Sequence, residues 1–143
     1  KEEERKIIQM QVNQLEMPTV QPIITAETIS YWRKLVQAVY MDEKIEQYIV
    51  DIIFATRFPQ NSGLAAIASF ISYGGSPRAS INLALAAKAY AFLQGRGYVV
   101  PDDIKAIAAD VLRHRIGLTY EAEAADMSAD KIVARILNTI AVP

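Results

Sequence analysis

The sequence contains no cysteine, which excludes disulfides and thiolate metal sites. Its one histidine, His114, argues against a histidine-based metal site and against a serine-type triad, which would need that residue as its base. No run of 18 apolar residues free of charge is present, and the first residues do not form a signal-peptide pattern, so no membrane insertion is expected. Lys and Arg total 15 against 16 Asp and Glu, a formal net charge of −1, which provides no electrostatic footprint for nucleic acid. There is no G-x-x-x-x-G-K-[ST] phosphate loop, no G-x-G-x-x-G, no H-E-x-x-H and no G-x-S-x-G. No two carboxylates fall on one helix face as an inward-facing pair. These absences leave the chain without the parts of a self-sufficient enzyme. The first residue is Lys1 rather than Met, and we expect a piece of a longer protein.

What is present is helical periodicity. The length suits one domain, or one with a small appendage, and a chain of 143 residues can bury roughly 68–70% of its unfolded surface. Residues 2–15 predict a helix, with Glu2, Glu3 and Glu4 favouring its N-terminus and Ile7, Ile8, Val12 and Leu15 as its stripe. Pro18 and Pro22 bracket an extended connector. Ile29, Trp32, Val36, Val39 and Tyr40 recur at helical spacing after Thr25. Asp42 is a good N-cap for a helix whose face is Ile45, Tyr48, Ile49, Ile52 and Ile53, and which closes with Arg57. These two amphipathic helices are expected to pack as an antiparallel hairpin. Phe58 to Gly63 is a stop. The run Leu64 to Ile71 fits either a helical turn or an extended segment.

Residues 76–94 predict a long helix that is apolar almost all round and therefore central and buried. Gly95-Arg96-Gly97 ends it by a left-handed turn, and Tyr98-Val99-Val100 reads as an extended link. Pro101, Asp102 and Asp103 open another helix, with Ile104, Ile107, Ala108, Val111 and Leu112 buried and Arg113 closing it. His114 between two arginines reads as structural. Thr119 to Met127 reads as a surface connection, and Ser128 caps a last helix bearing Ile132, Val133, Ile136, Leu137 and Ile140. The fold class is all-α: a compact helical bundle of five or six helices, with no convincing strand.

The chain is organised around Tyr73-Gly74-Gly75-Ser76-Pro77-Arg78. Ser76 is placed as the N-cap of the long helix, where its hydroxyl can accept a first-turn N–H. Pro77 suits the first helical position, because its missing N–H would have had no partner there. Arg78 then sits in the first turn, where the helix dipole disfavours a cation. A compensating anion at this N-terminus is one explanation. An arginine pointing into water, or paired with a carboxylate elsewhere in the chain, is the other.

Three blocks carry a family resemblance: Gly74-Gly75-Ser76-Pro77-Arg78-Ala79-Ser80, Tyr98-Val99-Val100-Pro101-Asp102-Asp103-Ile104, and Val111-Leu112-Arg113-His114-Arg115-Ile116. Together with Ala55-Thr56-Arg57 and Ile140-Ala141-Val142-Pro143, in this order and spacing, they resemble the C-terminal lid of MoxR-type AAA+ ATPases over nearly the whole chain. The resemblance implies that residues 1–24 lead from a nucleotide-binding core, absent here, and that residues 25–143 form the helical lid. It also implies that Arg78 is the sensor-2 arginine, reaching the γ-phosphate of ATP with Pro77 and Ser76 beside it, while the core binds Mg²⁺. The parent is then a cytoplasmic, chaperone-like ATPase forming a homo-oligomeric ring that remodels client proteins, and the isolated lid does not hydrolyse ATP. Gly75 stands where the family usually has alanine, which is expected to loosen the turn. Val100 stands where a threonine N-cap is common, so that helix start is expected to be weaker by about 1 kcal/mol. The alternative is a stand-alone helical protein–protein interaction module with no nucleotide role.

Overall fold

A computed structural model describes residues 1–13 and 20–143. Among them are seven α-helices, two 3₁₀ segments and one two-stranded sheet, so the chain is all-α. The chain divides into two compact units, Lys1–Ser30 and Tyr31–Pro143. In the first, α1 (Glu2–Asn13) carries its three glutamates in the first turn, and its apolar residues Ile7, Ile8 and Val12 are exposed. Positions 14 and 15 of the expected helix, and Pro18, lie outside the described residues. The Thr25 hydroxyl takes the Thr28 N–H at 3.3 Å, which starts α2 (Ala26–Ala38).

The core of the second unit is built on α3 (Glu43–Arg57). Asp42 caps it as anticipated, accepting from the Lys44 N–H at 2.9 Å. Ile45, Tyr48, Ile49, Ile52 and Ile53 are all buried. The expected α2–α3 hairpin is not what buries them. No residue of α2 is buried, and Trp32 and Leu35 remain 40% and 36% exposed. Instead α3 packs on α4 (Pro77–Leu93), α5 (Pro101–Leu112) and α7 (Ala129–Thr139). Periodicity identifies an apolar face but not the element that will cover it.

Helix α4 departs from expectation in a similar way. Its buried line is Ala79, Leu83, Ala87 and Ala91, one residue every helical turn, and this mostly alanine stripe allows α5 to approach closely. Ile81, Leu85 and Leu93, on other faces, are 59%, 51% and 78% exposed. The helix is therefore buried along one stripe, and its nearly uniform apolar composition overstated the burial. It ends with Gly95 at φ 72°; the Gly95 N–H reaches the Phe92 carbonyl and the Arg96 N–H the Ala91 carbonyl, a Schellman closure.

The connections between the helices carry structure of their own, and the run from Leu64, expected as a helical turn or an extended segment, contains both. After a first 3₁₀ segment (Pro59–Ser62), the run from Leu64 resolves into a second (Ala65–Phe70) and then β1 (Ile71–Tyr73). β1 pairs antiparallel with β2 (Gly117–Leu118). Residues 119–127, expected as a surface connection, contain α6 (Tyr120–Ala124), capped by the Thr119 side chain, with Ala122 fully buried. Ser128 caps α7 through the Lys131 N–H. Arg113 ties α5 to α7 through Asp130 at 3.0 Å, a tertiary contact beyond the dipole role expected of it.

Candidate functional site

The Gly74–Arg78 turn and the first turn of α4 form the site. Pro77 is the first residue of α4, as expected. Ser76 occupies the N-cap position with extended backbone, φ −77° and ψ 172°, but its hydroxyl makes no capping bond. The Ser76 carbonyl instead accepts the Ala79 N–H at 2.7 Å. The expected Ser76 side-chain cap is thus absent, and the hydroxyl remains at the exposed surface beside Pro77 and Arg78.

Arg78 is exposed and, among the described residues, its guanidinium forms no ion pair. No acid occupies the first turn of α4 to offset it. Pairing with a carboxylate among the described residues is therefore removed, leaving a bound anion or an arginine pointing into water. What remains is a free cation at the positive end of a 17-residue helix, on an element anchored at zero exposure by Ala79 and Leu83. Such a group is available to an anion and held by a rigid support.

The turn before it is pressed onto the last turn of α3. A Cβ added at Gly74 would fall against the Thr56 carbonyl and 2.7 Å from the Arg57 nitrogen, so no side chain fits there. A Cβ at Gly75 would lie 3.1 Å from the Ala79 Cβ and 3.4 Å from Ile53 Cγ2. The turn is closely packed at Gly75, rather than loosened by the glycine. The Gly75 N–H donates to Thr56 Oγ1 at 2.8 Å. Next to Thr56, the Arg57 guanidinium lies 4.3 Å above the Phe54 ring, a cation–π contact.

The far end of α4 is secured differently. Asp103, 1% exposed, receives a forked pair of hydrogen bonds from Arg96, Nη1 donating to Oδ2 at 2.8 Å and Nη2 to Oδ1. Asp103 also takes the Val100 N–H at 2.8 Å. Val100 has no side-chain acceptor, but the first-turn acid performs the capping from inside the helix. The expected weakness of this helix start is therefore compensated. Burial pushes the Asp103 carboxyl up, but the Arg96 and Val100 hydrogen bonds and the Arg96 charge outweigh it and hold the group below its ordinary value. Nothing in the helical periodicity relates Arg96 to Asp103. The available signal was an arginine in a left-handed helix stop followed seven residues later by an acid in the next first turn.

Among the described residues no cluster of three or more acids, histidines or cysteines could hold a metal ion, and no helix is long and apolar enough to cross a membrane. For ATP the donor set is one-sided: Arg78 can meet a phosphate, and nothing among the described residues provides a phosphate cradle.

The chain is thus an all-α domain with an exposed arginine, free of ion pairs among the described residues, in the first turn of α4. A family model described as the AAA lid domain matches residues 64–136, more than half of the chain, and the chain belongs to that family. It is 36% identical over 143 residues to the chaperone MoxR1 of Mycobacterium tuberculosis, covering 99% of this chain and 37% of that protein. It is 40% identical over 79 residues to the MoxR protein of Paracoccus denitrificans, 52% of this chain and 23% of that one. The crystal structure of a candidate ATPase from Cytophaga hutchinsonii superposes with a TM-score of 0.88 at 43% identity, over 100% of this chain and 43% of that one. The lid is of the MoxR-like ATPase kind, and the chain spans well under half the length of these relatives.

Proposed function

We propose that residues 25–143 act as the C-terminal lid of an ATP-hydrolysing MoxR-type protein, that residues 1–24 lead into it from the nucleotide-binding core, and that Arg78 is its sensor-2 arginine. The observation that carries this is the free, exposed guanidinium at the start of a helix anchored in the core. ATP, when bound by the core with Mg²⁺, provides the phosphoryl group to be transferred. This chain supplies positive charge from the lid side, placed where phosphate oxygens gain charge in the transition state. Ser76 and Pro77 form the surface beside it. Because Arg78 rides on the lid, its contact with the γ-phosphate couples lid closure to the nucleotide state. Ring assembly, remodelling of client proteins and a cytoplasmic location belong to the same proposal.

The test is Arg78→Ala in the full-length protein, assayed for steady-state ATP hydrolysis. Turnover is expected to fall by at least about tenfold, in line with the loss of one preorganised charge donor, with the helical circular dichroism unchanged. Unchanged turnover would remove Arg78 from the site. The isolated lid is expected to show no hydrolysis.

A further inference from the structure

Thr56 is a fully buried polar residue on the last turn of α3. Its hydroxyl donates to the Ile53 carbonyl at 2.6 Å and accepts from the Gly75 N–H at 2.8 Å. Both capacities of the hydroxyl are therefore directed, and a buried hydroxyl so satisfied has one orientation. Gly75 immediately precedes the N-cap of α4 and lies three residues before Arg78. Gly74 lies so close to the Thr56 carbonyl that no Cβ fits between the turn and α3. The backbone that delivers Arg78 is thus tied to α3 by one side-chain hydroxyl, while the Ser76 side chain, the expected local cap, makes no bond.

We propose that Thr56 is the positioning residue for Arg78: its hydroxyl fixes where α4 starts, and so where the guanidinium is presented to a phosphate. This rests on the reading of Arg78 as the phosphate sensor. Small misplacements of a charge donor are costly in rate because its contribution depends on alignment in the transition state. Valine at position 56 would fill nearly the same space and offer no acceptor, leaving a buried N–H unpaired.

The experiment is a double-mutant cycle in the full-length protein, with kcat and KM for ATP measured at least 15 °C below the lowest melting midpoint of the set (a margin of several kcal/mol-scale destabilisations for a domain of this size, roughly 2–4 °C each). The variants are Thr56→Val, Thr56→Ser, Arg78→Ala, and Thr56→Val with Arg78→Ala. Thr56→Val is expected to lower kcat about tenfold, Thr56→Ser to stay within about twofold of wild type, and Thr56→Val to have less than about a twofold effect once Arg78 is alanine. A full tenfold loss in the Arg78→Ala background overturns the proposal, because Thr56 then acts independently of Arg78. So does a Thr56→Val enzyme with normal kcat alongside an impaired Arg78→Ala enzyme. If Arg78→Ala itself turns over normally, the sensor reading fails first and this one falls with it. Should Thr56→Val not fold, Thr56→Ser decides: a tenfold fall in kcat with a native melting midpoint contradicts the claim that the hydroxyl is what positions Arg78, and near-wild-type kcat supports it.

Discussion

Replacing Asp103 by alanine removes two interactions at once, and each has a size typical of its kind. The first is the capping bond from the Val100 N–H, a contribution of about 1 kcal/mol by analogy with side-chain N-caps. The second is the forked pair with Arg96. Charged hydrogen bonds of this sort contribute about 1.5–3 kcal/mol, but the Arg96 side chain is 27% exposed, and after the substitution its guanidinium can turn to water. Allowing for that and for non-additivity, Asp103→Ala should destabilise the chain by about 2–3 kcal/mol, or roughly 5–10 °C in melting midpoint. Asp103→Asn, which keeps an acceptor for the Val100 N–H, should recover about 1 kcal/mol of that loss.

The pH dependence sharpens the test. The folded carboxyl titrates below its ordinary value of 3.8, so its stabilisation is complete above that value and is lost as pH falls through the lower, folded one. The gap between wild type and Asp103→Ala should therefore be the same at pH 7 and pH 5 and should narrow only below about pH 4. Urea unfolding followed by helical circular dichroism measures it. A loss smaller than about 0.5 kcal/mol, the noise of an ordinary surface change, would refute the reasoning. So would a gap that closes between pH 7 and pH 5.

Two further outcomes follow from the packing. Gly74→Ala places a methyl against the Thr56 carbonyl and the Arg57 nitrogen, neither of which can rotate away, and should cost about 2–3 kcal/mol in unfolding free energy as an overpacked site; an unchanged melting midpoint would show that the turn can lift off α3. Tyr48 is 2% exposed and its hydroxyl has no hydrogen-bond partner among the described residues. Burial, with the charge of Asp102 as a lesser cause, holds its pKa above the ordinary value. Tyr48→Phe should therefore leave stability unchanged or raise it by up to about 1 kcal/mol, and a loss greater than that in urea unfolding would mean the hydroxyl has a partner.

The elements legible from sequence were those whose physics is local. Asp42 and Ser128 cap the helices that follow them, because an N-cap bond spans only two or three residues. Pro77 and Gly95 mark the two ends of α4, because one lacks an N–H and the other tolerates positive φ. The oddity of Arg78 was legible for the same reason: a helix dipole is a property of a single segment. Thr56 was visible only as part of a family-like block. Its partner Gly75 lies 19 residues away, and no periodicity relates a hydroxyl on one helix to the N–H before another.

Which apolar faces are covered was likewise beyond local reading. Trp32 and Leu35 share their spacing with true core residues, yet no residue of α2 is fully buried, and Ile81 and Leu85 are exposed on a helix whose buried line is Ala79, Leu83, Ala87 and Ala91. Burial depends on which neighbour arrives, and that is settled by long-range packing. Local chemistry in the sequence thus determined where several helices begin and end and that an arginine stands against the dipole in the first turn of α4. Tertiary structure alone decided that this arginine forms no ion pair among the described residues, because none of their carboxylates is brought to it. Tertiary structure also decided that a buried threonine on another helix holds its place, because an interior hydroxyl must find its partners wherever the fold puts them.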